Sequence, residues 1–460
     1  MCRYIESIER LIPPFTIKEY SSAYHQCLLR LFVTMLLGIF VQGCASRGFM
    51  PTPNLFIDEG SYAANQTSEN SNNTRLEVLY VTDRAVVDEQ SNGSKDDDVD
   101  KPAIYGNTRS ASAAFGVAEV ELKPGIDWTT LSDASDGDNR NVRLKFGGVQ
   151  AMEVGRYPDS PYLFDLDQEG KASVDSETLK KLEHAKKEFR QMIVERLEEN
   201  ATNDVVLFIH GFNNSFGFAA QTLSGIWHFL QRRQVPILYS WPAGVGGLRG
   251  YFVDSESGQF TIFHLKETLR TLFEIPEIEN IHIIAHSRGT DVVTTAMREL
   301  LIEHRRTEDL KKYFKIANLI LAAPDLDYGV VRQRLLAEQF GTAFGQITVY
   351  TTSGDKALSL SQFFLRSIRF GLLASTDINT RDSSILENVG NVGFILATNI
   401  KSFTGHDYFF SNPAVSSDLL TVINHSAKPG TALRPLTHQG GNFWLLNKNY
   451  PESVQTAQAK

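Results

Sequence analysis

The sequence predicts an α/β protein with a mostly parallel central sheet and helices on both faces. Three observations carry this. From residue 204 onward, short apolar runs alternate with amphipathic stretches at helical spacing. The apolar runs are continuous rather than alternating, so both of their faces are buried, as in a parallel sheet covered by helices on each side. One strand-to-helix junction is a Ser between small residues, "AHSRG" at 285–289.

The elements follow in order. "LEVLYVT" (76–82) is the first strand candidate, and "AAFGVAEVEL" (113–122) alternates like a second. Between them lies an acidic loop containing "SKDDDVDK", and residues 131–141 form another loop rich in Asp, Gly and Asn. "SETLKKLEHAKKEFRQMIVERLEEN" (176–200) places Leu179, Leu182, Phe189, Met192, Ile193 and Leu197 at helical spacing. Five strand–helix pairs come next. "DVVLFIHG" precedes "FGFAAQTLSGIWHFLQRR", and "VPILYSWP" precedes a Gly-rich loop and "GQFTIFHLKETLRTLFE". "IHIIAHS" precedes "GTDVVTTAMRELLIEHRR", "IANLILAAPD" precedes "GVVRQRLLAEQF", and "QITVYTTSGD" precedes "SLSQFFLRSIRFG". A last strand, "NVGFILATN", precedes "GHDYF". Crossovers in such a sheet are right-handed.

The 460 residues are 42% hydrophobic and 22% charged, enough for a large core. A net charge of -9 argues against a nucleic-acid partner bound through phosphate neutralisation. The three cysteines, Cys2, Cys27 and Cys44, all lie in the first tenth of the chain, which leaves the body without a disulfide framework or a Cys-based metal site.

Residues 31–44, "LFVTMLLGIFVQGC", follow Arg30. This apolar run is shorter than the roughly 20 residues a bilayer span needs and fits the core of a secretory signal. Upstream, Glu6, Glu9 and Glu19 depart from the short basic start usual in signals. The run ends at Val41-Gln42-Gly43-Cys44, which resembles the lipobox of bacterial lipoproteins, with Gln42 departing from the usual small or aliphatic residue. The resemblance implies acylation of Cys44, and Ala45 points to the outer membrane facing the periplasm. The expected organisation is a targeting segment at 1–44, a flexible linker at 45–75, one domain at 76–450 and a tail at 451–460. Within the linker, "SYAANQTSENSNNTR" is polar and nearly devoid of large apolar groups.

Ala285-His286-Ser287-Arg288-Gly289 has the pattern of a nucleophile elbow. The turn is so tight that positions two before and two after the Ser must be small, and Ala285 and Gly289 comply. The plainer reading is a Ser in a buried turn. A nucleophilic Ser needs a base and an orienting acid, and in α/β hydrolases both lie downstream in the order acid, then His. Asp355 in "TTSGDKAL" is the favoured acid. Asp325 in "AAPDLD" is the alternative, with Asp327 beside it, and either could instead be a helix cap or turn residue. His406 in "FTGHDYFF" is the favoured base, ahead of His425 and His438. Backbone N–H groups of Arg288 and Phe212 are the expected oxyanion donors. Phe212 follows His210-Gly211, and His210 is expected to hold that loop. His282 and His286 are expected to be packing residues.

"VVLFIHGFNNSF", "YSWPAG", "YFVDSES", "IIAHSRGTDVV", "LILAAPDLD", "VYTTSGDKAL" and "GHDYF" occur in order. Together they resemble a bacterial α/β-hydrolase family of unknown function with exported members. The resemblance, over about Leu76 to Trp444, implies an α/β-hydrolase fold and a Ser hydrolase acting on an ester or related acyl bond, with no metal or cofactor. Ala285 stands where the family usually has Gly. A small-molecule or lipid-like acyl substrate and a lipid-anchored place at the membrane are the partners this reading expects. An amidase or thioesterase, and an inactive envelope interaction protein on a hydrolase scaffold, are the competing readings. Oligomeric state is not legible. "SLSQFFLRSIRFGLL", with Phe363, Phe364, Ile368, Phe370, Leu372 and Leu373, is either a lid or an ordinary packing helix.

Overall fold

The computed structural model describes residues 48–58, 61–64, 74–87, 103–137, 144–398 and 405–451. The targeting segment, Cys44 and all of the tail beyond 451 lie outside the described residues.

One sheet of 11 strands organises the chain. Its strands are β1 (Leu76–Val86), β2 (Tyr105–Leu122), β3 (Phe146–Arg156), β4 (Asp204–Ile209), β5 (Val235–Ser240), β6 (Asn280–His286), β7 (Ile316–Ala322), β8 (Gln346–Thr351), β9 (Val392–Ala397), β10 (Thr437–His438) and β11 (Phe443–Leu446). Their order across the sheet is β10-β11-β9-β8-β7-β6-β4-β5-β1-β2-β3. Pairing is parallel from β11 through to β1. The outer β1–β2, β2–β3 and β10–β11 pairs are antiparallel.

The continuous apolar strands do what their composition requires. In β4, Val205, Leu207 and Ile209 enter one core while Val206 and Phe208 enter the other. In β6, Ile281, Ile283 and Ala285 point one way and Ile284 the other. Helices α1 (Ser176–Glu199), α4 (Ile262–Phe273) and α5 (Gly289–Glu303) cover the first face. Helices α2 (Phe216–Phe229) and α8 (Pro413–His425) cover the second.

Several elements differ from the sequence reading. The segment expected as a linker at 45–75 is part of the domain where it is described. Phe49, Met50, Phe56 and Tyr62 are buried in the second core. The Phe49 N–H donates to Leu144 O at 2.8 Å, and the Tyr62 hydroxyl donates to His228 O at 3.0 Å. Its apolar residues follow neither helical nor strand period because its described residues hold only a short 3-10 turn, Asn54–Phe56, and a four-residue helix, Ser61–Ala64. Helix α3 (Gly247–Phe260) begins inside the stretch expected to be a Gly-rich loop, and a short break at Thr261 separates it from α4. The possible lid string divides in two. Helix α6 (Lys356–Leu365) ends at Arg366 in left-handed conformation, leaving Phe363 and Ile368 exposed, whereas Phe370 and Leu373 are buried. A further helix, α7 (Thr380–Val389), follows.

Candidate active site

The strand-to-helix junction after β6 sits at the end of the sheet where the parallel strands terminate. Ser287 is left-handed at φ +52°, a costly conformation for a residue with a Cβ. Backbone bonds hold it there: the Ser287 N–H donates to Ala322 O at 3.0 Å, and its carbonyl accepts from the Asp325 N–H at 3.4 Å. The small flanking residues have a steric cause. A Cβ on Gly289 would stand 2.3 Å from His210 O, and one on Gly211 would stand 2.8 Å from Ser287 Cβ. The two loops are therefore in direct backbone contact.

His406 lies between Ser287 and Asp355. Its Nε2 is 2.8 Å from Ser287 Oγ and its Nδ1 is 2.7 Å from Asp355 Oδ2. Asp355 is fully buried and caps α6: its Oδ1 accepts from the Leu358 N–H at 2.9 Å. Acid partner and helix cap, posed as alternatives for this residue, are thus served by its two oxygens at once. Burial opposes charge on the His406 ring, but Asp355, joined by Asp325 and Asp407, outweighs it, and the pKa lies above the ordinary 6.5. Gly405, at φ +67°, lets this loop close on the acid's turn rather than on the Ser, because a Cβ there would stand 2.3 Å from Gly354 O.

Asp325 is placed elsewhere. Its Oδ2 accepts from the Tyr251 hydroxyl and its Oδ1 from Ser361 Oγ, both at 2.9 Å, and Arg369 Nε is 3.4 Å away. Asp327 caps the turn that begins at Tyr328. His425 closes α8 and His438 lies on edge strand β10, so neither is the histidine bonded to Ser287.

The two expected donors belong to residues beside Ser287, one next in the chain and one on the neighbouring loop. Arg288 opens α5, whose N-terminal end carries partial positive charge. Phe212 follows the glycine that touches Ser287. His210 is fully buried and stacks on Trp241 at 5.3 Å. Burial, reinforced by the charge of Arg84, holds it neutral, far below its ordinary pKa.

Two residues next to the site escaped the sequence reading, and a third does more than was expected of it. Arg84, fully buried on β1, reaches the loops after β4 and β5, and burial lowers its pKa to about 10. Asp254 on α3 accepts from the Asn213 N–H at 3.0 Å and the Gly244 N–H at 3.2 Å. His286, expected only to pack, donates from Nε2 to the His406 carbonyl at 3.1 Å and lies against Phe409. The motif "YFVDSES" was the one available hint of Asp254; Arg84 has no local signal.

A second Ser–His–Asp series stands apart from the first. His264 Nδ1 is 2.9 Å from Asp83 Oδ2, and its Nε2 is 3.0 Å from Ser160 Oγ. The Ala111 carbonyl lies 3.1 Å from that same Nε2 and accepts from Ser160 Oγ at 3.0 Å.

A serine on a left-handed elbow between strand and helix, set on a mostly parallel sheet covered by helices on both faces, defines an α/β hydrolase. The chain belongs to the family described as alpha/beta hydrolase of unknown function (DUF900), which matches residues 185–423, just over half of its length. The match includes Phe212, Ser287, Asp355 and His406 but ends short of Arg84 and β1–β3. No curated protein matches the chain.

Proposed function

We propose that this α/β hydrolase cleaves an ester or related acyl bond through an acyl-enzyme on Ser287. The observation that carries the proposal is the unbroken series from Ser287 Oγ through His406 to Asp355, at 2.8 and 2.7 Å, on an elbow with φ +52°. His406 Nε2 takes the hydroxyl proton as Oγ attacks the carbonyl carbon. Asp355 holds Nδ1–H and stabilises the imidazolium. Arg288 and Phe212 N–H groups receive the oxyanion, where charge develops. The leaving alcohol takes the proton from His406. Water, deprotonated by the same ring, then attacks the acyl carbon and releases Ser287.

A lipid-like acyl substrate is favoured by the surroundings. Tyr251 contacts Phe212, Arg288 and Asp325. Its neighbour Phe252 is 61% exposed, and Phe363, two residues beyond Ser361, is 66% exposed. Large exposed apolar groups on the helices that carry residues around Asp325 suit an apolar ligand. We further propose that Cys44 is acylated and holds the enzyme at the outer membrane facing the periplasm. The support is the lipobox-like string alone. Two or more acyl chains, at about 0.8 kcal/mol per buried methylene, anchor a protein stably.

The test is a panel of p-nitrophenyl esters of increasing chain length, with a fluorophosphonate to mark the nucleophile. Saturable hydrolysis and a single adduct on Ser287 are expected; an adduct elsewhere refutes the assignment. For the anchor, Cys44→Ala is expected to move the protein from the detergent phase to the aqueous phase. Retention in detergent refutes lipidation at that residue.

A further inference from the structure

Arg84 occupies an unusual position. It is a fully buried cation on β1, with no substrate-facing surface, yet its five donors are spent on β2, the end of β5 and the loops after β4 and β5. Nε donates to Ser240 Oγ at 2.8 Å, and Nη1 donates to Gly106 O at 2.8 Å and Ala243 O at 2.7 Å. Nη2 donates to Asn214 O at 2.7 Å and lies 3.2 Å from His210 Nε2.

The last contact has a consequence for the ring. A guanidinium has no acceptor, so His210 Nε2 must be the acceptor. Burial and the Arg84 charge keep the ring neutral, and its one proton then resides on Nδ1. Nδ1 is 3.0 Å from the Gly211 carbonyl and donates to it. In a trans peptide the C=O and the following N–H point in opposite directions. Fixing the Gly211 carbonyl on His210 therefore fixes the direction of the Phe212 N–H. The other side of the residue is held as well. The Phe212 carbonyl accepts from Asn214 Nδ2 at 2.8 Å, and the Asn213 N–H is held by Asp254 at 3.0 Å, with Asn213 left-handed at φ +55°.

We infer that Arg84 is a positioning residue: by imposing the Nδ1–H tautomer on His210 it sets the orientation of the Gly211–Phe212 peptide, and with it the direction of the Phe212 N–H that the proposed mechanism turns toward the oxyanion. Asp254 is its counterweight, holding the next peptide by the N–H while Arg84 holds the Asn214 carbonyl. The inference rests on the serine-hydrolase reading of Ser287 and adds to it a control of the oxyanion donor from a strand outside the matched family region.

The experiment combines kinetics with spectroscopy on the full chain. Nitrogen-15 correlation of the imidazole rings is expected to show His210 as the Nδ1–H tautomer in the wild type. In Arg84→Met the ring is expected to lose that single tautomer. Turnover of p-nitrophenyl butyrate should fall roughly 100-fold, the scale of one oxyanion donor, with KM within about threefold. Arg84→Lys, which retains a donor, should recover part of the lost kcat. Fluorophosphonate labelling of the wild type separates the two readings. If Ser287 takes no label, the serine-hydrolase reading fails and this inference fails with it. If Ser287 is labelled but Arg84→Met turns over like the wild type, the inference alone is overturned. An Nε2–H tautomer in the wild type overturns it without any variant, so misfolding of Arg84→Met cannot shield it.

Discussion

Among the described residues two serines head a Ser–His–Asp series, and the side-chain distances hardly distinguish them. Ser287, His406 and Asp355 are linked at 2.8 and 2.7 Å; Ser160, His264 and Asp83 at 3.0 and 2.9 Å. What differs is the backbone around each oxygen. Ser287 stands left-handed just before α5, whose N-terminal end carries partial positive charge. Ser160 faces a carbonyl: its N–H and its hydroxyl both donate to Ala111 O, at 2.8 and 3.0 Å. An oxyanion forming at Ser160 would meet the negative end of a dipole. The comparison teaches that a Ser–His–Asp series is a common way to satisfy buried polar groups. Donors aimed at the developing charge make it a candidate for chemistry.

The largest expected difference is in turnover. Ser287→Ala should lower kcat on a short p-nitrophenyl ester by roughly 10⁴- to 10⁶-fold, whereas Ser160→Ala should stay within about twofold. Peptide mass mapping of a fluorophosphonate adduct on Ser160 would break the comparison at its root. The two candidate acids sharpen it next. Asp355→Asn should cost about 10⁴-fold in kcat, as when a His loses its correct tautomer. Asp325→Asn should chiefly cost stability, because it leaves Arg369 buried without its carboxylate. A loss of about 3 kcal/mol in urea unfolding is the expected scale.

The pH dependence of kcat/KM gives a third handle. His406 works as a base only when neutral, and its pKa is raised, so activity should fall as pH drops through a midpoint above the ordinary 6.5. Removing the Asp355 charge should move that limb to lower pH in whatever activity remains. A wild-type limb below 6.5 would contradict the raised value. The smallest effect on chemistry belongs to the second series. His264→Ala should lower unfolding free energy by roughly 1–3 kcal/mol through the stranded partners Asp83 and Ala111, with kcat per folded molecule unchanged. Thermal melts read alongside ester turnover would check both halves.

The two series also differ in how far they can be read from sequence. Ser287 is legible because sterics force small residues at 285 and 289, and because an apolar strand and an amphipathic helix flank it. Asp355 and His406 are legible through chain order and their loops after strands. Nothing local marks Asp83 or Arg84, because their meaning depends on β1 lying beside β5, a pairing between residues more than 150 apart. The packed residues within 48–58 and 61–64 escaped for a related reason: Phe49, Met50, Phe56 and Tyr62 share no period, since the surface they fill belongs to other elements. Strand β3, "FGGVQAMEVGR", carries three glycines and half-exposed positions, which dilute its alternation.

The divided carboxylate of Asp355 has a consequence for how this position can change over generations. A fold that needs only a helix cap there would accept Ser, Thr or Asn with little penalty. Chemistry at His406 needs a charged oxygen at the same time, and a Glu side chain, one methylene longer, cannot keep both contacts. A lineage that drifts to Ser or Asn at 355 would therefore keep its architecture while losing turnover. On the proposed mechanism, position 355 is thus where an active member of this fold and a silent one would be separated by a single codon.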